Sequence, residues 1–133
     1  MEGKEILKQH IAKTASLTEE EFEHFFSHFK PESFKKGQVI VNEGDDVEKE
    51  YFVLSGCLKA FFMNDNIKMH ILQFTMPTWW TSDYAALYNK TKATITIDCI
   101  SDAEVLSITN EAREQLCREL HQAEYFFRWR TNR

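Results

Sequence analysis

Five side chains between Thr78 and Thr94 hold the densest chemistry in this chain. The stretch reads TWWTSDYAALYNKTKAT, and it supplies the Ser82 and Thr94 hydroxyls, the Asp83 carboxylate, the Tyr84 phenol and the Lys92 amine. Hydroxyls, an acid and an aromatic ring grouped around a short helical run suit contact with a small molecule. They do not make a bond-breaking set, because no Ser/His/Asp or Cys/His arrangement at a strained turn accompanies them.

Other reactive residues are sparser. Cys57, Cys99 and Cys117 are an odd number without CxxC spacing, each flanked by apolar or β-forming residues, and read as three reduced, mostly buried thiols. His24 and His28 stand at i, i+4, a spacing that suits a metal ion, but they lie off the apolar stripe of their helix and read as a solvated face. A metal-dependent enzyme on a cupin-like roll needs two or three His with a carboxylate on facing strands. Only His70 falls in an expected strand, so neither enzyme, metal nor cofactor is expected.

The elements that position these residues follow from the pattern. LTEEEFEHFFSHF has Thr18 as N-cap, Glu21 to close a capping box, Leu17 and Phe22 at the staple positions, and a Phe22/Phe25/Phe26/Phe29 stripe, so it predicts an amphipathic helix ended by Pro31. Residues 4–13 predict a short helix before it. From Phe34 the period changes to strands at 38–42, 51–56, 57–63 and 68–74, punctuated by Gly37, Gly44 and Gly56, with a hairpin turn at 64–66. In ATITIDCI, Ile95, Ile97 and Cys99 alternate with Thr94, Thr96 and Asp98, and AEVLSI follows a Ser101-Asp102 turn. Six or more short strands predict a sandwich or roll. A last helix, capped by Asn110, carries Leu116, Leu120, Ala123 and Phe127 as a stripe.

With 133 residues, 43% of them hydrophobic, the chain is about one domain long and has ample material for a core. No apolar run approaches the roughly 18 residues that span a bilayer, and MEGKEILKQH lacks a secretory h-region, so cytoplasmic residence and no membrane contact are expected. Residues 125–133 hold three Arg and no acid, which leaves thirteen basic against twenty-one acidic residues in 1–124, a net of −8. Such a body offers no general surface for nucleic acid, since phosphate contact needs clustered Lys and Arg.

Helix, glycine-punctuated roll, exit helix: with FKKGQVIVNEGDDVEKEYFVLSGCLKAFF (34–62) and CISDAEVLSIT (99–109), this order resembles the cyclic-nucleotide-binding domain of the Crp/Fnr transcription regulators. Gly37, NEGD with Gly44, and YFVLSG with Gly56 carry the likeness, which covers residues 15–127. It implies a mainly β fold with flanking helices, a double-stranded β-roll or jelly roll. One domain spanning 1–133 is expected, with a helical segment at 1–31, the roll at 34–109 and the start of a dimerisation helix at 110–133. Leu116, Leu120, Ala123 and Phe127 would face a second copy, with Arg128, Arg130 and Arg133 on the exposed side. DNA contact would come only through a domain not present in this chain.

The resemblance also makes residues 80–94 a phosphate-binding cassette. In cAMP-binding members that cassette reads G-E-L, a short helix, then R-[ST]-A: amides at the helix start meet the phosphate, Glu takes the ribose hydroxyl and Arg neutralises the phosphate. Here Ser82 stands at the glycine, Asp83 at the Glu, and Lys92-Ala93-Thr94 at the Arg segment, with Ala93 at the Arg itself. Lys92 is a point charge without the guanidinium fork and sits one residue out of register. The cassette resembles those of divergent Bacteroidetes-type members. Three readings stay open: a site for another small acidic or aromatic effector built from Ser82, Asp83, Tyr84, Lys92 and Thr94; an orphan roll in which Trp79 and Trp80 pack the short helix; and residual cyclic-nucleotide binding.

Overall fold

A computed structural model describes residues 3–130. Its elements run α1 (Gly3–Ala12), α2 (Glu19–Phe26), β1 (Lys30–Phe34), β2 (Val39–Val41), β3 (Lys49–Ser55), β4 (Leu58–Met63), β5 (Met69–Thr75), β6 (Trp80–Thr81), α3 (Tyr84–Asn89), β7 (Thr96–Cys99), β8 (Ala103–Thr109), α4 (Asn110–Glu119) and α5 (His121–Trp129). The strands form two antiparallel four-stranded sheets, one in the order β1-β8-β3-β6 and the other β2-β7-β4-β5. This is the expected β-roll with flanking helices.

Period-2 alternation in β3 and β8 explains how the layers stack. Phe52, Leu106 and Ile108 point into a core shared with the helices, where Leu7, Phe22, Phe25, Trp80, Leu116 and Phe126 meet them. Tyr51, Val53 and Val105, one residue out of phase, point into the roll with Val41, Leu58, Ala60, Leu87, Ile97 and Cys99. The central strands β3 and β8 of the first sheet are therefore buried on both faces. The alternation expected for 93–100 holds, with Ile97 and Cys99 buried and Ile95 packed on the same core.

Local chemistry fixes the turns. At the start of α2 the Glu21 N–H donates to Thr18 Oγ1 (3.1 Å) and the Thr18 N–H donates to Glu21 Oε1 (2.9 Å), closing the capping box. Gly56 turns β3 into β4 with φ +88°, and a Cβ there would stand 2.3 Å from the Asp102 carbonyl oxygen, so only glycine fits.

Three expectations are corrected. Strand pairing starts at Lys30, not Phe34: KPESF is an edge strand hydrogen-bonded to β8 alone, a position where Pro31 costs no ladder bond. The exit segment is two helices, because Leu120 adopts an extended conformation (φ −126°, ψ 116°) between them, and the cap of the first is Thr109, whose Oγ1 accepts from the Ala112 N–H. The stripe Leu116, Leu120, Ala123, Phe127 faces inward. Leu116, Ala123 and Phe127 are buried in the chain's own helical core and Leu120 packs against it, so none awaits a partner for cover. Arg130 is buried too, and Arg133 lies outside the described residues.

Candidate effector-binding site

Strand β6 sets the cassette in place. Trp80 and Thr81 pair with Phe52 and Tyr51 of β3. Trp80 is 1% exposed and rests among Phe29, Phe52, Phe126 and Phe127, at ring distances of 6.1, 4.9, 5.9 and 6.0 Å. Its indole N–H donates to His10 Nε2 (3.1 Å), which joins α1 to the strand. Trp80 thus anchors the segment to the helices as well as to the roll.

Past that anchor, each expected site residue meets a partner within the chain. The Ser82 hydroxyl donates to the Lys49 carbonyl (2.7 Å). Asp83 caps α3: its Oδ1 accepts from the Ala86 N–H (3.1 Å), while Oδ2 accepts from the Thr94 N–H (2.9 Å) and the Thr94 hydroxyl (3.3 Å). Asp83 is 5% exposed, so its charge is held by these donors and not by bulk water. The structure brings Ser82, Asp83, Tyr84 and Thr94 together around the start of α3. Lys92 lies outside that group, on the surface, paired with Asp46 at 2.6 Å with both side chains largely exposed. The hydrogen bond from Lys92 to Asp46 raises the amine above its ordinary range. Ala93, expected from the resemblance to stand at the family's arginine, is buried in the roll core.

Beside α3 lies a charge cluster that sequence reasoning did not find. The Tyr84 hydroxyl donates to Glu50 Oε1 (3.2 Å), and Arg130 Nη1 lies 2.6 Å from the same oxygen. Glu50 Oε2 is faced by Arg113 Nε at 3.6 Å. Arg130 stacks over Trp80 and Phe127, 4.5 and 4.9 Å from the ring centroids. Burial, and then the Glu50 carboxylate, push the Tyr84 phenol far above its ordinary range, so it stays a hydrogen donor. For Arg130, burial works against the charge, but Glu50 and Tyr84 outweigh it and the guanidinium is held above its ordinary value. No sequence signal marked this cluster, because Glu50 closes the charged run EGDDVEKE (43–50) and stands just before the strand expected at 51–56.

On the outer side of α3 is a groove of about 390 Å³ lined by Asp46, Val47, Glu48, Leu87, Lys90, Thr91, Thr109, Asn110, Glu111 and Glu114. Four acids against one Lys make it a poor seat for a phosphate.

Residues 31–120 match the family model described as the cyclic nucleotide-binding domain. The chain belongs to that family. No curated protein sequence matches it. Among solved structures, a cyclic nucleotide-binding domain from Methylobacillus flagellatus is similar with TM-score 0.81 at 11% identity, over 93% of this chain and 71% of that one. The sensor domain of the transcriptional regulator DNR from Pseudomonas aeruginosa is similar with TM-score 0.76 at 14% identity, over 91% and 80%. The Thermus thermophilus catabolite activator protein gives TM-score 0.74 at 21% identity over 85% of this chain, which spans 53% of the Thermus protein. These likenesses establish the fold of the cyclic nucleotide-binding domain. Among the described residues, no helix is long and apolar enough to cross a membrane.

Proposed function

We propose that this cyclic nucleotide-binding domain is the sensor and dimerisation module of a Crp/Fnr-type transcription regulator whose cassette does not take cyclic AMP. One observation carries the reading: the Asp83 carboxylate accepts the Ala86 and Thr94 amides at the place where the family's cassette offers amides to a phosphate. A phosphate arriving there meets a buried negative charge instead of free donors, and no arginine to neutralise it. Charged hydrogen bonds are worth about 1.5–3 kcal/mol each, so loss of the fork and of the backbone approach removes roughly 3–6 kcal/mol. That is on the order of 10² to 10⁴ in affinity. Isothermal titration with cyclic AMP and cyclic GMP is expected to show binding no tighter than millimolar. Micromolar binding by either nucleotide overturns the reading.

Self-association belongs to the same proposal, with a changed surface. The former stripe is internal, and the outward side of α5 presents Tyr125 and Trp129, 38% and 61% exposed, with their rings 6.4 Å apart. A weak homodimer through this face follows, with DNA contact supplied by a part of the regulator outside this chain. The β4–β5 hairpin offers a second apolar surface in Ile67, Met69, Ile71, Leu72 and Phe74, all exposed. A ligand-free orphan module of the Bacteroidetes-type kind fits the saturated cassette equally well. Titration against a library of small acidic and aromatic metabolites separates it from a sensor with another effector.

A further inference from the structure

Away from the cassette, His24 of α2 and His28, just past the C-cap of that helix, gain a third member from another helix. His24 and His28 stack edge to face with ring centroids 4.9 Å apart, and Glu119 of α4 reaches both: its Oε1 lies 2.6 Å from His24 Nε2 and 3.9 Å from His28 Nε2. One ligand atom from each of the three residues falls within 4.8 Å of the others. We propose that His24, His28 and Glu119 bind one divalent transition metal ion of the zinc type, clasping α2 to α4.

The donor set has the required chemistry. Two imidazoles and one carboxylate are a common catalytic-type zinc set, with water filling the fourth position. His24 and Glu119 are about two-fifths exposed, which leaves that position open, while His28 is only 12% exposed and firmly placed. A tetrahedral ion with bonds near 2.0–2.1 Å holds its ligand atoms roughly 3.3 Å apart. His24 Nε2 and Glu119 Oε1 need to open by less than an ångström, and His28 Nε2 to close by a similar amount, from separations of 2.6 and 3.9 Å. Rotation of the three side chains about their χ angles supplies such shifts without moving the backbone.

Supporting hydrogen bonds are already made. His28 Nδ1 lies 2.9 Å from the His24 carbonyl oxygen, so that nitrogen carries the proton and Nε2 keeps its lone pair for the ion. Gln115 Nε2 donates to Glu119 Oε2 (3.1 Å), orienting the carboxylate with Oε1 toward the histidines. Without an ion, the His24–Glu119 hydrogen bond serves as the resting arrangement.

The test is a titration of the full chain, above the ordinary histidine titration range, with zinc ion by calorimetry and with cobalt ion by visible absorption. We expect one equivalent bound at micromolar affinity or tighter, a cobalt spectrum without thiolate charge transfer, and at least about tenfold weaker binding in His24→Ala, His28→Ala and Glu119→Gln. Glu119→Gln keeps the shape and hydrogen bonding of the side chain, and circular dichroism of each metal-free variant checks that it folds. Binding weaker than millimolar overturns the proposal. So does binding that survives all three substitutions, or a thiolate band that disappears in Cys57→Ser or Cys117→Ser.

Discussion

Arg130, which caps the end of α5, and Glu50, at the start of β3, are ion-paired at 2.6 Å, with both side chains 1% exposed. Eighty positions apart in sequence, they join the exit helix to the roll beside the cassette helix, whose first residue, Tyr84, bonds to the same carboxylate oxygen. A displacement of α3 that shifts Tyr84 therefore changes the surroundings of Glu50, and with them the seat of α5. Glu50 thus ties the start of α3 to the end of α5.

A buried pair is expensive to break and inexpensive to replace. Arg130→Met is expected to destabilise the domain by about 3–5 kcal/mol, because Glu50 is left charged with only the more distant Arg113. The double variant Arg130→Met/Glu50→Leu is expected to recover most of that loss. Urea denaturation of the wild type, the two single variants and the double completes the cycle, and additive losses would sink the pairing as an energetic unit.

Much of the fold was legible because its rules are local. Alternation in 93–100, the Thr18–Glu21 capping box and the positive φ of the turn at Gly56 are each local, and each reads correctly in the sequence. The Asp102 carbonyl that also excludes a side chain at 56 is a tertiary neighbour. The break at Leu120 was not legible: no Gly or Pro marks it, and the spacing 116, 120, 123, 127 fits one continuous helix equally well. Strand β1 was hidden by its edge position, where KPESF needs no apolar face. At the candidate site the residue types were visible and their partners were not. Whether Asp83 faces a ligand or the Thr94 amide depends on how a loop eleven residues on folds back. The Glu50–Arg130 pair and the approach of Glu119 to the histidines are likewise tertiary, and no periodicity reports them.

Asp83 bears on both stability and specificity. Asp83→Ala removes the cap of α3 and leaves the Ala86 and Thr94 amides without their acceptor, in a site that is nearly closed to water. A loss of about 1–3 kcal/mol is expected in thermal or urea unfolding. Asp83→Asn keeps one acceptor oxygen and is expected to lose less. Equal stability of Asp83→Ala and wild type would mean that the carboxylate is held for a ligand and contributes nothing to the fold.

Two substitutions on the exit segment separate folding from association. Leu116 is fully buried, so Leu116→Ala is expected to cost about 2–5 kcal/mol of stability whatever the oligomeric state. Trp129, exposed on the opposite side of α5, is expected to leave monomer stability within about 0.5 kcal/mol when replaced by Ala. If the proposed dimer forms there, the same change weakens it by about tenfold or more. Sedimentation equilibrium over a concentration series reads the second effect. A Trp129→Ala protein that associates as well as wild type moves the interface elsewhere, with the β4–β5 hairpin as the next surface to test by Phe74→Glu.

His10 makes acid stability a readout of the Trp80 anchor. Burial, then the charges of Lys13 and Arg130, lower its imidazole from 6.5 to about 4. The neutral ring accepts the Trp80 N–H at Nε2, and a proton on that nitrogen would abolish the bond. Between pH 6.5 and about 4 the unfolded chain therefore binds the proton that the folded chain refuses. Stability contributed by the neutral ring is fully present above pH 6.5, declines as pH falls through this window and levels off below about 4. Because the ring is only partly buried, the loss after solvent screening is about 1–2 kcal/mol. His10→Gln keeps an acceptor for the indole without the titration, so the difference in unfolding free energy between wild type and His10→Gln should shift in favour of the variant by that amount across the window. A difference that stays constant with pH would show that His10 takes its proton as readily in the folded domain as in the unfolded chain.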